Sequence, residues 1–178
     1  MHKFIVMGTL LLLPGALSAG SLHLAGLAGR IGLVHSPMAE ENIYAFGLNA
    51  HLQGAAKVVY RPYFDYWATR IDGVSEQEQR WRLFASGVSA LWPFGLHNSS
   101  AVPYAGAGVG LQVNDRSKTA EGSRSSADRE VDLALTALAG LQLPIRSQFD
   151  GFVEFRYAIA GLSDYYGLYL GLMLKLRP

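Results

Sequence analysis

In several stretches of this chain the charged residues keep to alternate positions. In KVVYRPYFDYW (57–67) Lys57, Arg61 and Asp65 stand four apart, and in FDGFVEFRYAI (149–159) Asp150, Glu154 and Arg156 share one parity. Arg30, Arg82, Asp132 and Lys175 each sit in a largely apolar stretch. Charges of both signs held out of water must neutralise one another, because a buried unpaired charge is costly. The first chemistry suggested is therefore a self-compensated charge network. The second is nucleophilic, since a serine within reach of a histidine can be activated by it. HNSS (His97 to Ser100) is the dense Ser–His cluster, and its composition reads as a solvated turn. His51 reads as a hydrogen-bonding group, and His23 and His35 lie too far apart along one stretch to share a metal. No cysteine occurs, which removes disulfides, thiolate metal sites and cysteine nucleophiles. GAGVG (106–110) lacks the spacing of a dinucleotide loop. No cofactor and no metal are expected.

The elements that must position these charges are strands. Val58, Val59, Tyr60, Tyr63, Phe64, Tyr66 and Trp67 are β-branched or aromatic, and Pro62 would break a helix. Read with period two, Lys57, Val59, Arg61, Tyr63, Asp65 and Trp67 share one face, and Val58, Tyr60, Pro62, Phe64 and Tyr66 share the other. All of the charge falls on one side.

The same pattern recurs through the chain. HLAGLAGRIGLV (23–34) sets Leu27, Ile31 and Leu33 against Arg30. IYAFGLNAHL (43–52) sets Tyr44, Phe46 and Leu48 against Gly47, Asn49 and His51. RWRLFASGVSALW (80–92) is the least regular, and its alternation sets Trp81, Leu83, Ala85 and Leu91 outward, opposite Arg82 and Ser86. PYAGAGVGLQVN (103–114) sets Ala105, Val109, Leu111 and Val113 against Tyr104, three glycines, Gln112 and Asn114. EVDLALTALAGLQL (130–143) sets Val131, Leu133 and Leu135 against Glu130, Asp132, Thr136 and Gln142. FDGFVEFRYAI sets Val153, Phe155, Tyr157 and Ile159 against its charges. YGLYLGLMLKL (166–176) sets Tyr166, Leu168, Leu170, Leu172 and Leu174 against Gly167, Tyr169, Gly171, Met173 and Lys175.

Alternating segments of about ten residues separated by turn signals are the signature of a transmembrane β-barrel, and eight strands is the smallest even number such barrels use. A soluble sandwich or lipocalin-like barrel would crowd its polar face with Lys, Glu, Asp and Thr. Here that face is sparse and rich in Gly and Ala, as a narrow enclosed interior requires. Composition agrees: half of the residues are hydrophobic and 16% are charged, against an ordinary charged share of about 25%. The net charge of +1 without a basic block gives no case for nucleic acid. MHKFIVMGTLLLLPGALSAG carries a basic start, an apolar run and small residues at a cleavage position, the layout of a secretory signal peptide over 1–19. Residues 20–178 then form one all-β domain, an eight-stranded antiparallel up-and-down barrel.

With the termini on the periplasmic side, the gaps 35–42, 68–79, 115–129 and 160–165 face outward, and 115–129 reads as a mobile polar loop. Tyr44, Tyr66, Trp81, Tyr157 and Tyr166 then fall near the outer interface as an aromatic girdle. Inside, Asp65 is expected to pair with Arg82 and Asp150 with Lys175. Arg61 and Glu154 meet at mid-height with Arg30 and Arg156, and Lys57 and Asp132 complete the interior charges.

On PYAGAGVGLQV, FVEFRYAIAGLSDYYGLYLGLMLKL and the signal segment, the chain resembles the small eight-stranded outer-membrane barrels, the OmpA transmembrane-domain and OmpX-like group. VVYRPYFDYW resembles the third strand of outer-membrane barrels of unassigned activity. The resemblance implies residence in a Gram-negative-type outer membrane, contact with its lipids, assembly by the barrel-insertion machinery, and a monomer. It departs from the group at its end, LRP, where an aromatic residue is usual. The implied function is non-enzymatic: a filled polar interior carrying loops for adhesion, envelope integrity or surface interaction. A narrow porin-like channel and a lipid A-modifying enzyme are the alternatives.

Overall fold

The computed structural model describes residues 22–37, 42–54, 57–72, 78–95, 100–118, 126–161 and 164–176. The signal segment and most of HNSS lie outside the described residues. Eight strands run in chain order: β1 (His23–His35), β2 (Ile43–Gln53), β3 (Val59–Asp72), β4 (Glu78–Pro93), β5 (Val102–Lys118), β6 (Ser126–Arg146), β7 (Phe149–Ala160) and β8 (Tyr165–Lys175). Each pairs antiparallel with the next, and β1 pairs antiparallel with β8, which closes the barrel. Closure satisfies the backbone groups that an open edge would leave bare, a condition for crossing lipid.

The alternation in the sequence becomes inside and outside. Leu48, Leu133, Ile31, Leu135 and Leu170 are exposed on the outer surface while Arg30, Arg61, Asp65, Glu154 and Arg156 are buried. A soluble fold inverts that arrangement. Here the exterior is suited to lipid and the polar groups lie within.

Strand four reverses the expected faces. Trp81, Leu83, Ala85 and Leu91 are buried, and Phe84 and Arg82 lie on the outward side. Both faces of this strand are apolar in its middle, so period two alone does not orient it. What decides is the space at its height: Trp81 packs edge-on against Trp67 at 4.6 Å, and Trp67 against Tyr165 at 6.3 Å. With Val34, Ile43 and Leu83 these rings fill the interior toward the end opposite the termini, the distal end.

The strands also exceed their expected lengths on one side. β5 runs to Lys118 and β6 begins at Ser126, so much of the 115–129 stretch is paired strand and not loop. β7 starts pairing with β6 at Ala134, and β2 stops pairing with β3 at Trp67. Consequently β3, β4, β5 and β6 continue together beyond their neighbours as a four-stranded distal extension. At the terminal end β6 and β7 are joined by a tight turn at Ser147 and Gln148.

Candidate functional site: the charged interior and the distal rim

The interior charges converge from three strands. Arg30 on β1 donates from Nε and Nη2 to Asp65 Oδ1 at 3.0 and 2.7 Å, and from Nη2 to Oδ2 at 2.7 Å. Its Nη1 donates to Glu154 Oε1 at 2.9 Å. Arg156 donates to Asp65 Oδ2 at 2.9 Å and to Glu154 Oε1 at 3.4 Å. Arg61 and Tyr104 both donate to Glu154 Oε2, the tyrosine at 3.0 Å. Three guanidinium groups thus share two carboxylates, and the surplus positive charge lies against aromatic faces. Arg156 stands 4.3 Å from the centre of the Tyr63 ring, and Arg30 5.0 Å from that of Tyr169. Such contacts favour a desolvated cation.

The geometry depends on absent side chains. Cross-strand register aligns Arg30, Gly47 and Asp65 on β1, β2 and β3. A methyl group on Gly47 would collide with Asp65 Oδ1 and stand 2.7 Å from Arg30 Nε, so the missing Cβ is the space through which the pair meets. Tyr104, Gly140 and Glu154 repeat the device on β5, β6 and β7, where a Cβ on Gly140 would lie 2.5 Å from the Tyr104 hydroxyl oxygen. The pattern, side chain to glycine to side chain, runs across strands and leaves no periodicity along any one of them.

The expected pair of Asp65 with Arg82 does not form. Arg82 points away from the interior, and Asp65 is taken by Arg30 and Arg156. Asp150 meets Lys175 at 2.8 Å and accepts from Gln142 Nε2 at 2.7 Å. Asp132, facing inward nearer the distal mouth, accepts from Asn114, which in turn accepts from Trp81 Nε1 at 3.2 Å. Lys57 is exposed, outside the strands, and joins none of these contacts. Of the girdle residues, Tyr44, Tyr157 and Tyr166 are exposed and Tyr66 is half-buried on the outer face, while Trp81 is fully enclosed. Its place beside Tyr66 is taken by Phe84, with ring centres 4.9 Å apart.

The filling leaves little room for solute. Aromatic packing closes the distal half, the charge layer crosses the middle, and Ala28, Phe152 and Met173 pack toward the terminal end. A cavity of about 30 Å³ remains there, lined by His51, Leu91, Tyr104, Gln142 and Phe152 among others. That is room for a water molecule or two, each of which needs on the order of 10–15 Å³ of such space. Within the interior, His51 Nε2 and Ser89 Oγ have no hydrogen-bond partner among the described residues.

No protein-family model and no curated protein matches the sequence. Solved structures do match in fold. Neisserial surface protein A superposes with a TM-score of 0.64 at 16% identity, covering 89% of this chain and 99% of that one. Ail, the attachment invasion locus protein of Yersinia pestis, solved with the heparin analogue sucrose octasulfate, gives 0.62 at 12% identity, covering 88% and 99%. The N-terminal β-barrel domain of Pseudomonas aeruginosa OprF gives 0.52 at 13%, covering 89% and 100%. The architecture is therefore that of the small eight-stranded outer-membrane barrels, as the resemblance in the sequence implied.

Proposed function

We propose that the protein is a non-enzymatic integral barrel of the bacterial outer membrane, with periplasmic termini, that acts by presenting its distal surface outside the cell. The observation that carries this reading is the distal extension of β3 to β6, in which β6 is paired with β5 from Ser126 while its pairing with β7 begins at Ala134. Paired backbone projecting past the rest of the rim offers a rigid platform for contact, and rigid elements position contacts better than loops do. The filled interior favours display over a channel, and display is favoured over hydrolysis because His51 Nε2 and Ser89 Oγ are not joined in a Ser–His hydrogen bond. Ail, the matched barrel bound to a heparin analogue, makes a sulfated glycan a reasonable first ligand to try. The protein would work as a monomer in outer-membrane lipid, delivered by the barrel-insertion machinery.

The test compares cells carrying the full chain with cells in which residues 116–128 are replaced by a short Gly-Ser turn. Both should yield a heat-modifiable outer-membrane band, and the full chain alone should adhere to immobilised heparin or to host-cell surfaces. Equal adhesion by both would sink the platform. Solute flux in liposome swelling, or a mass change in lipid A on expression, would replace display by one of the alternatives.

A further inference from the structure

One inward row of the barrel gathers buried donors that have no partner among the described residues. Arg61 lies opposite Ser89, Ser89 opposite Gly108 and Gly108 opposite Thr136. The register of β2 on β3 is the same on either side of this level, which sets His51 opposite Arg61. Arg61, Ser89 and His51 are 1%, 0% and 8% exposed, and Arg61 Nε, Ser89 Oγ and His51 Nε2 are the unpartnered atoms. Gly108 leaves the row open toward β6: a Cβ there would stand 2.5 Å from Ser89 Oγ and 2.7 Å from Thr136 Oγ1. Guanidinium N–H groups and hydroxyls donate, and an imidazole Nε2 donates in one of its tautomers.

The charge layer beside this row is not neutral. The guanidinium groups of Arg30, Arg61 and Arg156 meet the two carboxylates of Asp65 and Glu154, which leaves one positive charge in excess. The tyrosine faces attract a cation but bring no net charge. Of the other inward charges, Asp150 is matched by Lys175. Asp132 is half-buried and lies four residues distal of Thr136, about 14 Å along the strand. A buried charge without compensation is costly. We infer that the interior holds a small monovalent anion of the halide class, bound by Arg61 Nε, Ser89 Oγ and His51 Nε2, with the Thr136 hydroxyl closing the cradle across Gly108. One negative charge balances the layer, and the row offers it donors. The neighbouring cavity that His51 borders is only about 30 Å³, which favours a single-atom anion over a polyatomic one such as sulfate.

The protein is refolded into phosphatidylcholine vesicles and unfolded by urea while sodium chloride or sodium bromide replaces sodium sulfate at constant ionic strength. Either halide should raise the unfolding midpoint saturably, since a ligand of the folded state stabilises it by mass action. Arg61→Met removes the surplus charge and should abolish that response, whereas Arg146→Gln, exposed at the terminal end, should keep it. Where Arg61→Met does not fold, Ser89→Ala keeps the charge and removes one donor. It should raise the halide concentration for half effect on the order of tenfold. Crystals grown in bromide should show an anomalous peak within hydrogen-bond reach of Arg61 Nε and Ser89 Oγ. Absence of a saturable halide response, a response unchanged in Arg61→Met or Ser89→Ala, or bromide confined to the protein surface would overturn the site.

Discussion

Arg30 and Asp65 hold each other across an intervening strand, with Gly47 of β2 between them in register. The aspartate also serves Arg156, so its loss leaves three guanidinium groups facing Glu154 alone. Asp65→Ala should destabilise the folded barrel by about 3–5 kcal/mol, the range for removing one partner of a buried pair. A double-mutant cycle with Arg30→Ala, read by urea unfolding in lipid vesicles, should show strong coupling. The same cycle with Arg82→Ala should be additive to within about 0.5 kcal/mol, because the two do not touch.

Gly47 and Gly29 separate two roles for glycine. Gly47→Ala pushes a methyl group into the Arg30–Asp65 contact and should cost about 1–3 kcal/mol, as overpacking does. Gly29 faces outward, and its nearest neighbour for an added Cβ is a Leu48 methyl at 4.0 Å. Gly29→Ala should be neutral or stabilise by roughly 0.5–1 kcal/mol through reduced chain freedom. Equal effects in the same unfolding assay would show that the interior glycine is not a spacer.

The orientation of β4 is open to a direct check. Trp81→Ala empties a site enclosed by Trp67 and should cost about 3–5 kcal/mol, and near-UV circular dichroism should lose signal from the paired indoles. Phe84→Ala, on the outer face, should cost distinctly less. The reverse ranking would restore the opposite parity for this strand.

Topology is tested by access. Cysteine at Glu130, exposed on the distal side, should react with a membrane-impermeant maleimide on intact cells, whereas cysteine at Ser147, in the turn between β6 and β7, should need permeabilised cells. Inverted labelling would place the termini outside the cell and the distal extension in the periplasm.

Much of this fold could be read from the sequence because lipid enforces a strict alternation. In β8, Leu168, Leu170, Leu172 and Leu174 declare the outer face without ambiguity, and the structure exposes all of them. β4 defeated the same reading because Trp81 and Phe84 are both aromatic, and only the ring already supplied by Trp67 tells which belongs inside. The partner of Asp65 was illegible for a related reason. The reversed face of β4 removes Arg82, and the choice of Arg30 and Arg156 depends on cross-strand register and, for Arg30, on a glycine in the row between. Strand ends at 115–129 were obscured by their polarity, since strands standing clear of lipid need no apolar face.

The spread of the charge layer along the chain bears on the order in which the barrel can be built. Arg30 is separated from Asp65 by 35 positions and from Glu154 by 124, and Arg61 from Glu154 by 93. A first hairpin of β1 and β2 entering lipid alone would carry an uncompensated guanidinium, and four strands would still lack the glutamate that Arg61 requires. Successive hairpins are therefore poor candidates for independent insertion. A folding chain gains its compensated interior only once β7 is in place, because Glu154 on that strand serves both Arg30 and Arg61. A truncated product has no stable halfway house in the bilayer.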